Sequence, residues 1–302
     1  MQKQFGKQLF LSLLTIFLWA SCYVAVRAAS LQFSPFALTF LRFFASGLTV
    51  LFMLPFYKVK MPRRQDLPLF LGSALTAYSL YSCLMALGAR TVTASVSSFV
   101  MALSPVIAPM FALLLLKEHM KKIQWISIGI SGSGVLIMLF TNEGFTFAPG
   151  ILWVLLGAVL FALYNIIQRI LLRRYETFEV TAYSTLIGAV TLLPFLPAAI
   201  REGRAATPGG LLILGYLGAV SAIAYLFWSM ALKLASSTSE VTNFMFLTPI
   251  LTTVIAFVTM GELPPLVTYL GGGLMLAGLI LTNLSVGKKE ALAGVIAESQ
   301  TK

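Results

Sequence analysis

Charge is what this chain has least of. Only 10% of its 302 residues are charged and 59% are hydrophobic, against roughly 25% charged in ordinary soluble domains. A mean hydropathy of +0.92 leaves too few polar side chains to cover a water-soluble globule. Acids are scarcer than bases, with 10 Asp and Glu against 21 Lys and Arg. The one histidine, His119, sits in a lysine-rich loop with no Cys or Asp paired nearby, which excludes a catalytic or metal constellation around it. The two cysteines, Cys22 and Cys83, lie in apolar runs as small packing residues, so no disulfide or metal framework is implied. No Gly-rich loop ending in Lys-Ser/Thr occurs, which argues against ATP coupling in this chain. No cofactor, no metal and no enzyme activity are expected. The net charge of +11 comes from bases scattered through short loops, not from a stripe, so nucleic acid is not an expected partner.

Long apolar runs are what the chain does have. A helix needs about 20 apolar residues to cross a hydrocarbon core of roughly 30 Å. Such runs fall near Leu9–Ala29, Phe36–Phe56, Leu67–Leu87, Val92–Leu116 and Ile123–Phe140. Five more fall near Gly150–Leu172, Val180–Ile200, Leu211–Leu232, Glu240–Met260 and Leu266–Leu284. They are apolar on nearly all faces, whereas membrane strands would alternate, so the fold class is all-α integral membrane with ten transmembrane helices. The first run is read as a span and not a cleaved leader, because it is long enough to cross.

Lys and Arg set the orientation. With the N-terminus in the cytoplasm, sixteen fall inside, among them Lys58, Lys60, Arg63, Arg64, Lys117, Lys121, Lys122, Arg169, Arg173, Arg174 and Lys233. Four fall outside (Arg27, Arg90, Arg201 and Arg204), and Arg42 lies within a span. Both termini are then cytoplasmic, in a multi-pass protein of the inner (plasma) membrane. The polar tail 288–302 is expected to be disordered.

The chain repeats itself. "FLWASCYVAVR" (Phe17–Arg27) aligns with "VLFALYNIIQR" (Val159–Arg169), and "SCLMALGARTVTASVSSF" (Ser82–Phe99) with "FWSMALKLASSTSEVTNF" (Phe227–Phe244). Pro55 pairs with Pro197, Pro105 with Pro249, Glu118 with Glu262, Gly129 with Gly273 and Gly134 with Gly278. Residues 1–145 and 146–287 thus form two five-helix repeats. Five is odd, so the second copy is inverted. The loop after Leu116 keeps Lys117, Lys121 and Lys122, whereas its partner after Met260 has Gly261, Pro265 and Leu266. That loss of charge is the positive-inside rule acting on an inverted repeat, a build that recurs in secondary transporters.

The phrases Trp19–Arg27 ("WASCYVAVR"), Pro35–Arg42 ("PFALTFLR") and the Pro-to-Glu segment ending each half resemble the ten-helix EamA-type permeases of the drug/metabolite transporter superfamily. The family usually has Gly before the last Glu of each half. This chain keeps it at Gly261 and has Lys117 in the first half, a departure confined to a loop. The resemblance implies a basket in which spans one to four and six to nine line a central cavity, with spans five and ten to one side. Glycines there (Gly129, Gly132, Gly134, Gly271, Gly272, Gly273 and Gly278) permit close packing, either within one chain or across a homodimer.

Polar and aromatic residues inside the spans are the candidate site. Trp19, Tyr78, Tyr81, Tyr164, Tyr225 and Trp228 lie well within spans one, three, six and eight. Tyr164, Asn165 and Gln168 share one helical face, and a buried amide in lipid needs a partner. Ser98 and Asn243 come from the paired spans four and nine. Hydroxyls, amides and aromatics around an apolar pocket suit a small zwitterion or amphipathic metabolite; the alternative is interhelical hydrogen bonding. Arg42 is either an anion contact or an anchor to neighbouring carbonyls. Glu240 is either a proton carrier or substrate contact, or half of a capping box, Ser237-Thr238-Ser239-Glu240. Pro105 and Pro249 are expected hinges of alternating access, or static kinks. The first span holds no carboxylate, unlike the small multidrug antiporters that the fold resembles, which disfavours proton exchange through a buried acid.

The expected function is secondary transport of small metabolites, amino-acid or related export by alternating access, with a small-molecule substrate and the lipid bilayer as partners. Uptake of a nucleoside-like or cofactor-like metabolite, and a non-transporting membrane scaffold, are the alternatives.

Overall fold

The computed structural model describes residues 2–118, 120–141, 149–261 and 269–281. His119, Glu262 and the tail lie outside these. Among the described residues every regular element is helical. The first span is α1 (Gln2–Ala29) and the second α2 (Pro35–Met53). The third is α3 (Leu67–Ser73), a π turn over Ala74–Tyr78, and α4 (Leu80–Gly88). The fourth joins α5 (Ala94–Met101) to α6 (Ser104–Phe111) and ends in a second π turn, Ala112–Leu116. Next come α7 (Lys122–Thr141) and α8 (Pro149–Leu171). Then α9 (Thr177–Thr191) bends by 45° into the segment carrying α10 (Leu196–Arg204). After α11 (Pro208–Leu234), the ninth span is α12 (Thr238–Thr242), a 3-10 stretch Asn243–Leu247 and α13 (Thr248–Met260). The last described helix is α14 (Tyr269–Leu281).

Seven of these stretches are long and apolar enough to cross a membrane, and the bent pair makes an eighth if it counts as one span. α7 and α14 stand at the places expected for the fifth and tenth. Helical segments outnumber spans because spans three, four, seven and nine are interrupted. Pro105 and Pro249 each sit in the first turn of the segment after a break, where a missing N–H leaves no hydrogen bond unmade. The helix therefore stops before each proline, at Ala102–Leu103 and across Asn243–Leu247, instead of bending through it.

Large apolar side chains are exposed on the outside of the bundle as well as buried within it. Phe52 is 77% exposed, and Leu114, Leu212 and Val258 are exposed to a similar degree. Ser12, Thr39, Asn165 and Gln168 are buried. An apolar outer surface, with polar side chains buried among the aromatic core, is the arrangement of a multi-pass membrane protein. The two halves pack reciprocally. α1 lies on α11 and α13, and their counterparts match: α8 lies on α4 and α6.

Small residues set how close the helices come. A Cβ on Gly218 of α11 would stand 2.8 Å from the Ala45 carbonyl carbon and 2.9 Å from the Ser46 nitrogen of α2. α7 and α14 meet in the same way: Gly134 faces Gly271 and Leu274, Gly278 faces Ser127 and Ser131, and Ser131 Oγ donates to the Met275 carbonyl at 3.1 Å. The close-packing glycines Gly134 and Gly278 are thus engaged within the chain.

Candidate functional site

The bundle has two ends. At one, called here the far end, α1 and α4 stop and α8 and α11 begin. Arg27 Nη1 donates there to the Ala89 carbonyl (2.6 Å), and the Ser34 N–H and hydroxyl donate to Glu202 (2.7 and 2.8 Å). At the near end α8 and α11 stop and α9 and α12 begin.

A narrow cleft, enclosing about 540 Å³ when the open space at its mouth is included, occupies the far half of the bundle. Trp19, Cys22, Tyr23 and Val26 of α1 line it, four residues at helical spacings that share one face. Arg42 (α2), Tyr81 and Met85 (α4), Met101 (α5) and Phe161 (α8) add to the wall, with Tyr225 (α11), Met245 and Thr248. Both halves contribute, and no described residue of α7 or α14 does. Span seven also contributes nothing, although the resemblance placed it among the lining spans.

Trp19 forms the floor, against Phe161 (5.3 Å between ring centroids), Tyr225 (5.7 Å) and Trp228 (4.8 Å). One turn nearer the near end the space is filled. Tyr78, Tyr164 and Trp228 are fully buried, and Tyr78 packs on Tyr225 at 4.3 Å. Most polar atoms of this layer pair with one another, while Gln168 Oε1 and the Tyr78 hydroxyl meet no hydrogen-bond partner among the described residues. Trp228 Nε1 donates to Asn165 Oδ1 (2.8 Å) and Asn165 Nδ2 to the Phe161 carbonyl (2.7 Å). Gln168 Nε2 donates to the Tyr164 hydroxyl (2.5 Å) and to Ser229 Oγ (3.2 Å). The Tyr225 hydroxyl donates to the Ala77 carbonyl (2.8 Å) at the π turn of span three. Such turns recur at functional sites, and this one places Tyr78 in the layer and Tyr81 in the cavity.

Below the layer a polar network ties the near end together. Glu118, just past span four, accepts from the Thr238 N–H (2.9 Å) and hydroxyl (3.1 Å) at the start of α12. Its carboxylate also lies 3.5 Å from Arg169 Nε. Arg169 caps the end of α11, donating to the carbonyls of Leu232, Ala235 and Ser236. Spans four, six, eight and nine are thereby joined. Asp66, buried in the loop after span two, pairs with Arg174 (2.5 Å) and accepts from the Tyr175 hydroxyl (2.7 Å). Burial holds the Tyr175 phenol above its ordinary range. Glu179 accepts from the N–H groups of Lys60 (2.8 Å) and Glu176 (2.9 Å).

The expected site residues therefore divide. Trp19, Tyr81, Tyr225 and Arg42 line the cavity; Tyr78, Tyr164, Asn165, Gln168 and Trp228 make the layer beneath it. Ser98 is buried and donates to the Ser95 carbonyl (2.7 Å), and Asn243 is buried at the start of the 3-10 stretch. Glu240 is at the near end, outside the cavity, and accepts from the Ser236 N–H at 3.0 Å. The Ser237 side-chain half of the expected capping box does not form, and Glu240 reaches the N–H one residue before the expected cap. The Ser237 hydroxyl pairs with Ser239 Oγ (3.1 Å), and Glu118 supplies the cap at Thr238. The cavity residues not singled out from sequence are Cys22, Tyr23, Val26, Met85, Met101, Phe161, Met245 and Thr248. The α1 stripe beginning at Trp19 was the one signal that could have found some of them.

Arg42 is held by its neighbours. Nε donates to Ser221 Oγ (2.9 Å), whose own proton goes to the Leu217 carbonyl (2.5 Å). Its guanidinium carbon lies 5.3 Å from the Phe43 ring centroid. Among the described residues no ion pair includes Arg42 and no carboxylate lines the cavity.

The model of the EamA-like transporter family matches this chain twice, over residues 6–140 and 148–284. The "Probable terminal-alkyne amino-acid exporter" of Streptantibioticus cattleyicolor is 31% identical over 92% of this chain and 94% of its own. The "Uncharacterized transporter YdfC" of Bacillus subtilis is 28% identical over 91% of this chain and 90% of its own. One solved crystal structure superposes with a TM-score of 0.74 at 19% identity, over 94% of this chain and 99% of that one.

Proposed function

Because the chain belongs to the EamA-like transporter family, we propose that it is a ten-span secondary transporter built as two inverted five-helix repeats. It moves small metabolites, amino acids or related compounds, outward across the cytoplasmic membrane by alternating access. The near end is cytoplasmic, as the sixteen-to-four distribution of Lys and Arg favours. One observation carries the reading: a cavity shared by both halves reaches toward the far end and is closed toward the near end by a buried aromatic–amide layer. That is the shape of a carrier opened to one side. In the alternate state the Tyr164–Gln168 and Trp228–Asn165 pairs would part, leaving their amides and hydroxyls for cargo. The breaks at Ala102–Leu103 and Asn243–Leu247 are the hinges, each followed by its proline. The relative named as an amino-acid exporter supports the substrate class and direction.

The test is flux in proteoliposomes across an amino-acid and nucleoside panel, with and without a pH gradient. Flux of amino acids without proton dependence is the expected result. Flux that requires an inward proton gradient would replace facilitated export with proton coupling. No flux of any solute would remove the transport reading. External labelling near Arg201, with none near Lys233, is the expected topology.

A further inference from the structure

We infer that Arg42 is the charge-selecting residue of the cavity and that the preferred cargo is a monoanionic carboxylate with an apolar tail. This rests on the transport reading above, narrows its preferred cargo from free amino acids to related compounds without an ammonium group, and adds the force that drives export. Arg42 is fixed before any cargo arrives, because Ser221 Oγ accepts from Nε, and among the described residues no hydrogen bond uses its Nη groups. A planar guanidinium with one edge anchored presents the other edge to a carboxylate through two parallel hydrogen bonds. Around it the wall is aromatic and sulfur-rich, with Trp19, Tyr81, Phe161 and Met85 available to an apolar tail. The wall offers no carboxylate for an ammonium group. A zwitterion bound here would leave the site with net positive charge inside the membrane. A monoanion neutralises it and removes the cost of an unpaired cation in low dielectric.

The charge balance sets the energetics. The empty carrier holds Arg42 as a cation and the loaded carrier is neutral at this site, so each complete cycle moves one negative charge with the cargo. An inside-negative membrane then drives the anion outward with no proton or sodium ion required. Each 100 mV corresponds to about a fifty-fold concentration ratio at equilibrium. Export through a chain whose first span lacks a carboxylate thereby has a driving force of its own.

The experiment uses the full chain in proteoliposomes with a potassium diffusion potential set by valinomycin, and protein-free vesicles as the baseline. The probes are N-acetyl-L-phenylalanine, L-phenylalanine and L-phenylalaninamide, a matched anion, zwitterion and cation. The anion should accumulate about fifty-fold per 100 mV, inside-positive, with the zwitterion taken up weakly and the amide not at all. In detergent, quenching of tryptophan fluorescence by the anion should weaken at least tenfold in Arg42→Gln, less in Arg42→Lys, and several-fold in Ser221→Ala. Zwitterion flux equal to or above anion flux, or anion flux insensitive to voltage, overturns the inference and leaves transport standing. Unchanged anion binding in a folded Arg42→Gln overturns it as well. Tight anion binding with no flux of any probe overturns the transport reading and keeps the binding site. Should Arg42→Gln fail to fold, the wild-type panel and Ser221→Ala decide the matter.

Discussion

Replacing Glu118 by Ala should open the near end. Three partners lose their acceptor: the Thr238 N–H, the Thr238 hydroxyl and Arg169. A hydrogen bond to a charged acceptor contributes roughly 1.5–3 kcal/mol where water is excluded. The two side chains of the ion pair retain 15% and 14% exposure at a separation of 3.5 Å, so that pair adds at most about 1 kcal/mol. Water replaces part of what is lost once the end opens, leaving about 2–4 kcal/mol against the closed near end. At 1.4 kcal/mol per decade this is a shift of about thirty- to several-hundred-fold toward opening on that side. The native thiols supply the assay. Cys22 lines the far-half cavity and Cys83 is buried, so a Cys83→Ser background reports Cys22 alone. Glu118→Ala should slow modification of Cys22 by a membrane-impermeant methanethiosulfonate from the far side and speed it from the near side. Glu118→Gln, which keeps an acceptor for Thr238, should fall between the two. Labelling rates within twofold of wild type on both sides, in protein expressed normally, would refute the view that this contact holds the end shut.

Gly218→Ala should cost about 1–3 kcal/mol by forcing α2 from α11, and the lost Arg42–Ser221 contact should weaken anion binding; thermal unfolding in detergent measures the first effect and fluorescence quenching the second. Asn165→Ala leaves the Trp228 indole N–H buried without its acceptor and should destabilise by about 1–3 kcal/mol, whereas Tyr225→Phe removes one bond to a carbonyl and should cost about 1 kcal/mol. The Pro105→Ala, Pro249→Ala double variant permits helix across both breaks and should slow flux; an unchanged rate at normal expression removes the hinge assignment.

Membrane class and the positions of the described helices were readable because apolar length and loop charge are one-dimensional properties. Trp19, Tyr81, Arg42 and Tyr225 were legible as polar or aromatic residues where lipid-facing positions would be aliphatic. Met85, Met101 and Met245 were not, since a methionine on a cavity wall and one facing lipid look alike in sequence. Glu118 and Arg169 were visible only as span-end charges. Their meeting depends on spans four, six and nine converging, which no local pattern encodes. The Asn165–Trp228 pair shows the opposite limit. The sequence implies that a buried amide needs a partner, but whether that partner is protein or cargo follows only from the geometry.

The glycine seam between α7 and α14 bears on how the molecule can move. Backbone lies directly on backbone there, Ser131 staples the two helices, and one belongs to each half. On the alternating-access mechanism proposed above, the halves would share a fulcrum along that line and rocking would grow with distance from it. A covalent cross-link placed along the seam should leave turnover intact, while one bridging α1 and α8 across the cavity mouth should arrest it.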